Sequence, residues 1–341
     1  MKSHYQSASG FIIDSTRELF AKKGIKVSKL SQRIGDALRD YHQPDQYICS
    51  TAEADISIPY VGIAGGSTLY VLVGGGICSE RSLASIGVPL AALGHSVLSF
   101  ANIFNAGCMI SDVPAVRQAV YRSDRAAGRF SYEARLYANM LSDLIRTHFP
   151  DIRSLIIVSH SAGACIAAQI ISELRQTKPE TYRLISDTFS VTPAGMFKDN
   201  ISRIRRLWYS LKIAVTISLE TLSIHPALQR NNHSWLLLIK DSGSWTRDIR
   251  DFLRMPLRCV NAMQEQLMSD TSIRHTIFTT SRDHVFPIKQ AQELIKKHRN
   301  AILTILNGNH VNILPLGAEL ALAMHKPEGH KKASTWLNSA L

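Results

Sequence analysis

The sequence predicts an α/β fold with a mostly parallel central sheet flanked by helices, and three observations indicate it. Apolar, β-branched runs of strand length at 69–73, 155–158 and 301–306 are continuous, as in strands that are buried on both faces of a parallel sheet. Helix-length segments separate these runs, which is typical of right-handed crossover connections. The 341 residues, 45% of them hydrophobic, are enough for one large core with insertions.

The chain is basic, with a net charge of +12 and a pI near 9.6. Its Lys and Arg residues are scattered and form no recognisable module, so nucleic acid is not expected as a partner. The weakly charged stretch 83–104 approaches the length of a membrane span. Because Gly87, Pro89 and Gly94 divide it into a helix, a turn and a strand, no stable membrane insertion is expected.

The cysteines are odd in number, widely spaced and without a C-x-x-C pair, which favours a reducing compartment over a disulfide scaffold. Residues 1–7 lead into a polar helical segment without an apolar run, so no secretory signal is expected. The sequence therefore predicts a cytoplasmic protein. The cysteines are Cys49, Cys78, Cys108, Cys165 and Cys259.

Residues 1–45 form a predicted helical extension that precedes the core. Apolar residues on one helical face, a break at Gly24 and a resumed spacing of four predict helical structure on both sides of the break. Packing against the core and a dimer contact are both open roles for this extension. The apolar positions are Phe11, Ile12, Leu19, Phe20, Leu30, Ile34 and Leu38.

Strand patterns begin at residue 46. Residues 47–49 and 56–62 alternate as half-buried strands do, whereas 69–73 is the first fully buried strand. The sheet is therefore expected to start antiparallel and to continue parallel. Further elements are expected at 83–93 (helix), 95–100 (strand), 131–147 (helix) and 188–192 (strand).

Residues 155–168 predict an apolar strand, a tight turn with Ser161 at its tip and a helix of small residues. A side chain on such a turn projects beyond the sheet edge, and the helix directs unpaired N–H groups toward it. Ser159 and Gly163, two positions to either side, are small enough for strand and helix to approach closely. An ordinary helix N-terminus capped by serine has the same local pattern.

The segment 159–163 resembles the nucleophile elbow, G-x-S-x-G, of the α/β-hydrolase superfamily in its serine-nucleophile, esterase- or lipase-like branch. Ser159 replaces the first glycine of that motif. The resemblance covers about 46–325 and implies the α/β-hydrolase fold, with Ser161 as the nucleophile. It also implies that an acid and then a histidine follow in the loops after two late strands.

Two late strands carry such residues. The strand 274–280 is followed by Asp283, an apolar residue and a proline, which matches the acid loop of the family. The strand 301–306 is followed by Gly308 and His310, which resemble the family's glycine-histidine loop with one extra residue between them. The resemblance thus implies Asp283 as the orienting carboxylate and His310 as the general base.

Two other histidines are rival bases. His284 adjoins the predicted acid, but the chain order of the family disfavours it. His160 adjoins the predicted nucleophile, and its side chain should point away from it. No metal is expected, because H-E-x-x-H, H-x-H and paired Cys–His spacings are absent from the sequence.

Three consecutive glycines, 74–76, follow the first buried strand and allow more than one interpretation. A plain turn is the simplest. A dinucleotide site would need a third glycine where Ser79 stands, and the next strand ends near Asn102 without the acid that binds a ribose. The third interpretation is a loop whose bare backbone N–H groups face an oxyanion.

The resemblance favours this third interpretation, with no cofactor. Gly75 then matches the glycine of the family's oxyanion loop, and Gly74 takes the place of its histidine. Gly76 and Ala162, the residue after the nucleophile, would supply the stabilising N–H groups.

The segment 196–260 interrupts the core pattern, which covers 46–195 and 261–341. It alternates aromatic and aliphatic residues with basic ones and lacks a strand signal, so the resemblance implies a helical cap or lid over the site. Its basic residues suit an anionic substrate group, although a solvated helix face has the same pattern. They include Arg203, Arg205, Arg206 and Lys212.

Taken together, the residues and the resemblance predict a cofactor-free serine hydrolase that cleaves a carboxylic ester or thioester through an acyl-enzyme on Ser161. An acyltransferase or a carbon–carbon bond hydrolase with the same triad remains an alternative, followed by a non-catalytic ligand-binding protein. The expected partner is a small-molecule acyl substrate, with anionic and lipid-like groups both open.

Overall fold

The computed structural model describes residues 2–75, 78–105, 107–193, 208, 211–212, 255, 258–259, 261–281, 288–306 and 316–325. None of the helices formed by these residues has the length and apolar character needed to span a bilayer. In chain order the elements are α1 Lys2–Lys22, α2 Leu30–His42, β1 Asp45–Ser50, β2 Asp55–Ile63, β3 Thr68–Val73, α3 Ala84–Ala92, β4 Ser96–Phe100, β5 Met109–Ile110, α4 Val113–Ala126, α5 Ser131–His148, β6 Ser154–His160, α6 Gly163–Thr177, α7 Pro179–Tyr182, β7 Ile185–Val191, α8 Asn261–Met268, β8 Arg274–Thr280, α9 Ile288–Lys296, β9 Ala301–Leu306 and α10 Gly317–His325.

The strands form one sheet in the order β1-β2-β4-β3-β6-β7-β8-β9, with β5 paired to β2. β2 pairs antiparallel with β1, β4 and β5, whereas the pairs from β4 through β9 are parallel. The antiparallel start and the parallel continuation are therefore confirmed. Parallel strands end at the same edge, so the loops after β3, β4 and β6 to β9 lie along one side of the sheet.

Helices cover both faces of the sheet, and β6 shows why. Leu155 and Ile157 point to one face, where they share a buried cluster with side chains of α4, α5 and α6. Ile156 and Val158 point to the other face and pack with side chains of α3 and α10. Since neither face is open to water, β6 is a continuous apolar run instead of an alternating one.

The two N-terminal helices pack onto the second of these layers. Phe20 of α1 is fully buried beside Ala318 and Leu322 of α10. Tyr41 of α2 lies against Gly87 of α3, where an added Cβ would be 1.9 Å from the phenol oxygen. Full burial of such a side chain contributes about 1.5–3 kcal/mol, so α1 and α2 are held firmly against the core.

Residues 109–126 had no predicted element, yet they form β5 and α4. The sequence does contain a start signal for α4, an N-cap Asp112 followed by Pro114 in the first turn. In the structure Asp112 accepts a hydrogen bond from the N–H of Ala115 at 2.9 Å. The proposed boundaries of the extension, core and cap stay predictions. Most of the predicted cap, 196–260, lies outside the described residues.

Arg258, near the C-terminal end of the predicted cap, is tied to the core by a buried ion cluster. Its guanidinium is 2.6 Å from Asp124 and 2.5 Å from Glu133, and it lies 4.1 Å from the centre of the Phe130 ring. Burial alone lowers the pKa of Arg258, but the carboxylates of Glu133 and Asp124 raise it above its ordinary value. The guanidinium therefore stays charged and fixes residue 258 to α4 and α5.

Arg258→Met should lower the free energy of unfolding by about 3–5 kcal/mol, because it leaves two carboxylates without their buried cation. Denaturant unfolding followed by circular dichroism measures the change. Arg146→Met is the matched control, since Arg146 pairs with Asp143 on the surface and its loss should cost less than about 1 kcal/mol. Equal losses in the two variants would contradict a stabilising role for the buried cluster.

Candidate active site

The turn between β6 and α6 contains only two residues, Ser161 and Ala162. Ser161 has a φ of 53°, in the left-handed region that non-glycine residues rarely adopt. Its N–H donates to the carbonyl oxygen of Val191 at 3.1 Å, and its own carbonyl accepts from Ala164 at 3.1 Å. The predicted strand, turn and helix are confirmed, and the backbone at Ser161 is strained as a nucleophile elbow requires.

Gly163 shows why small residues surround this turn. A Cβ added to Gly163 would lie 2.3 Å from the carbonyl oxygen of Val73 and 2.5 Å from that of Gly74. These contacts are with backbone atoms, which cannot move aside as a side chain can. The close approach of α6 to the end of β3 therefore requires glycine at 163.

Ser159 departs from the family motif, and the structure gives the reason. Its hydroxyl is buried and donates a hydrogen bond to the hydroxyl of Ser190 on β7 at 3.2 Å. A small polar side chain is therefore accommodated at 159, because its one buried donor has a partner. The substitution leaves the turn itself intact.

The glycine loop after β3 lies directly beside Ser161. Val73, the last residue of β3, pairs with Ser159 of β6. A Cβ added to Gly75 would lie 3.1 Å from Cβ and 3.6 Å from Oγ of Ser161. The structure thus brings Gly75 to the predicted nucleophile, whereas Gly76 lies outside the described residues.

The N-terminus of α6 is the second feature beside Ser161. The first N–H groups of an α-helix have no partner within the helix, and the helix dipole makes this end attractive to negative charge. Ala162, the residue before the first turn, carries no side-chain oxygen that could cap these groups. The N–H groups of Ala164 and Cys165 already donate to the carbonyl oxygens of Ser161 and Ala162, so the amides suited to bind a developing oxyanion are those of Ala162 and Gly163.

The predicted acid Asp283, its rival His284 and the predicted base His310 lie outside the described residues. Their strands end at the same edge as the elbow, because β8 and β9 are parallel to β6 through β7. β8 lies two strands from β6, at a distance of about 10 Å, and β9 lies three strands from β6, at about 14 Å. Asp283 follows the end of β8 by three residues, which can span about 10 Å when extended. His310 follows the end of β9 by four residues, which can span about 13 Å.

His160 is the rival base that the structure describes. Side chains alternate along β6, so His160 lies on the face of Val158, opposite to Ser159. Its ring is buried, with 6% of the residue exposed. His160 therefore lies on the face of β6 that α3 and α10 cover.

Asn102 was not predicted to take part in the site, yet it contacts the glycine loop. It follows β4, is buried, and donates from Nδ2 to the carbonyl oxygens of Gly74 and Gly75. The resemblance implies no role for any residue of the segment 102–107. The available signal was a polar residue two positions after β4, a buried strand that neighbours β3 and its glycine loop.

Comparison with protein-family models finds no match, and neither does a sequence search of curated proteins. Comparison with solved structures does find similar chains. A carboxylesterase of the thaumarchaeon Nitrososphaera gargenis has a TM-score of 0.54 at 13% identity, over 85% of this chain and 99% of that one. A thioesterase domain from the curacin biosynthetic pathway has a TM-score of 0.53 at 16% identity, over 82% and 98%.

The protein has the α/β-hydrolase fold. An N-acyl homoserine lactone degrading enzyme gives a further match to this fold, with a TM-score of 0.57 at 14% identity, over 82% of this chain and 99% of that chain. The match to nearly the whole of each neighbour means that the α/β-hydrolase fold accounts for the core. α1 and α2, which precede the first sheet strand, lie before the part that carries the family resemblance.

Gly163→Ala should destabilise the protein by at least about 1–3 kcal/mol, because the new methyl group would overlap two backbone carbonyl oxygens. Thermal unfolding measures this loss. Gly35→Ala is the matched control, since Gly35 lies within α2 with open space around it, and this change should be neutral or slightly stabilising. A Gly163→Ala variant as stable as wild type would show that α6 and β3 do not need this contact.

Proposed function

We propose that the protein is a serine hydrolase that cleaves a carboxylic ester or thioester of a small molecule through an acyl-enzyme on Ser161. The observation that carries the proposal is the placement of Ser161. It lies in a strained left-handed turn, between a bare glycine backbone on one side and the N-terminus of α6 on the other. This geometry presents a hydroxyl and backbone N–H groups to the same reacting carbonyl.

In the proposed mechanism, His310 accepts the proton of the Ser161 hydroxyl while the Ser161 oxygen attacks the carbonyl carbon. Asp283 holds the His310 ring in the orientation for this transfer. The N–H groups of Ala162 and Gly76, next to Gly75, stabilise the negative oxygen of the tetrahedral intermediate. Collapse expels the alcohol or thiol, protonated by His310, and water then releases the acid by the same steps.

The names of the similar structures support an acyl bond as the target. They describe a carboxylesterase, a thioesterase domain and an enzyme that degrades a lactone, which is an internal ester. All of these bonds are broken by attack on an acyl carbon. No metal or cofactor is needed for this chemistry when a serine, a base and oxyanion donors are present.

A reducing, cytoplasmic location is part of the proposal. All five cysteines fall within the described part of the chain, and none of them forms a disulfide there. Four of them are buried, and burial raises the pKa of Cys78 to about 11. A thiol with a raised pKa is poorly reactive, so Cys78 suits a structural role in a reducing compartment.

Hydrolysis of 4-nitrophenyl esters of increasing acyl length tests the triad. Ser161→Ala and His310→Ala should each lower kcat by about 10⁴–10⁶-fold, and Asp283→Asn by a similar or smaller factor, because it misorients the base without removing it. Circular dichroism of each variant verifies the fold.

His284→Ala distinguishes between His310 and His284 as the general base. Because His284 is the disfavoured base, its removal should leave kcat within about threefold of wild type. Normal turnover in His310→Ala together with loss in His284→Ala would overturn the assigned base. Acyl transfer to an added alcohol in preference to water would instead identify an acyltransferase with the same residues.

A further inference from the structure

We infer that Asn102 is a positioning residue for acyl transfer: its amide holds the glycine loop, at residues 74 and 75, against the turn at Ser161. The inference rests on the proposed serine hydrolase function. Asn102 follows β4 and is 4% exposed, and it belongs to a loop to which the resemblance assigned no role. Its amide nitrogen reaches the loop after β3, which adjoins the turn at Ser161.

The side chain of Asn102 binds two consecutive carbonyl groups. Its Nδ2 donates a short hydrogen bond to the carbonyl oxygen of Gly75 and a longer one, 3.4 Å, to that of Gly74. The Gly75 carbonyl also accepts from the N–H of Cys78 at 3.0 Å. The opposite orientation of the amide would set its oxygen against two carbonyl oxygens, so the nitrogen must face the loop.

The sheet order places the glycine loop between Asn102 and Ser161. β3 lies between β4, which precedes Asn102, and β6, which precedes Ser161. On the β4 side Asn102 binds the loop. On the β6 side the carbonyl oxygen of Gly74 lies against Gly163, and the backbone of Gly75 lies against Ser161.

The backbone of Asn102 is itself fixed. Its carbonyl oxygen accepts from the N–H of Asn105 at 2.8 Å and from the thiol of Cys108 at 3.1 Å. The next residue, Ile103, donates its N–H to the buried hydroxyl of Tyr137 on α5 at 2.8 Å. A donor anchored in this way can define the position of a flexible glycine backbone instead of following it.

The oxygen of the Asn102 amide, Oδ1, indicates that the position needs the amide nitrogen as a donor. Its Oδ1 is buried without a hydrogen-bond partner among the described residues. A buried acceptor of this kind costs about 1–3 kcal/mol. An apolar residue would avoid that cost, but it would lose the two bonds to the glycine loop.

Asn102→Asp and Asn105→Asp form a matched pair for the test. Both place a carboxyl group in the same buried loop, but Asn105 accepts from the N–H of Gly107 through its Oδ1 at 2.9 Å, and a carboxylate keeps that acceptor. Asn102→Asp removes the donor. Asn102→Ala, which removes the donor without adding a charge, decides the question if the carboxylate variant does not fold.

Three readouts on a 4-nitrophenyl ester separate positioning from folding. At about pH 8, Asn102→Asp should lower kcat by about 10–100-fold with KM within about twofold, since a misdirected oxyanion donor acts mainly on the transition state. The inhibition constant of an alkyl trifluoromethyl ketone, whose adduct carries an oxyanion, should rise in parallel. The active fraction from burst titration should match that of wild type.

A pH profile adds a signature that a structural defect lacks. Protonation of the introduced carboxyl group restores an O–H donor to the glycine loop only in Asn102→Asp, so the deficit of this variant relative to wild type should shrink as the pH falls toward about 5. Asn105→Asp and Asn102→Ala should show a constant ratio to wild type.

The outcomes are distinct. If the wild type is active and kcat is unchanged in both Asn102→Asp and Asn102→Ala, the inference about Asn102 is overturned but the proposed function is not. Equal losses in Asn102→Asp and Asn105→Asp, with a reduced active fraction, also overturn it and assign Asn102 a structural role. A wild type without activity on every ester overturns the proposed function, and the inference with it.

Discussion

The close backbone contact between Gly163 and the carbonyl groups of Val73 and Gly74 fixes how the ends of β3 and β6 meet. An added methyl group would lie 2.3 Å from the nearer oxygen, so the start of α6 is pressed against the start of the glycine loop. Ser161 therefore has the loop on one side and the amides of α6 on the other. The proposed chemistry depends on this contact, because it decides where the reacting carbonyl could bind.

The core supplies the free energy that keeps Ser161 in its strained conformation. A left-handed φ at a non-glycine residue costs about 1–3 kcal/mol. Ile166, Ile170 and Leu174 of α6 are almost completely buried, and each contributes about 1.5–3 kcal/mol when fully removed from water. Since α6 begins two residues after Ser161, its packing holds the turn in place. The polar bonds around the turn then select one arrangement of the loops, as those of Asn102 and Ser159 do.

Local patterns in the sequence were enough to predict the elbow and most of the sheet, because they depend on neighbouring residues. The buried strand β6, the turn at Ser161 and the small-residue helix α6 are all encoded within 155–177. The contacts that complete the site are not local. Asn102 binds carbonyl groups that lie 27 and 28 residues earlier, and Ser159 binds Ser190, 31 residues later. A backbone carbonyl leaves no mark in the sequence, so the signal for Asn102 was limited to a polar residue shortly after a buried strand.

The central claim is that Ser161 is an activated nucleophile, and its reaction with a fluorophosphonate measures this directly. We expect one equivalent of the probe to add to the folded protein, with peptide mass spectrometry placing the adduct on Ser161. The Ser161→Ala variant, folded by circular dichroism, should take up none. Labelling at another serine, or no labelling of the folded wild type, would contradict the account.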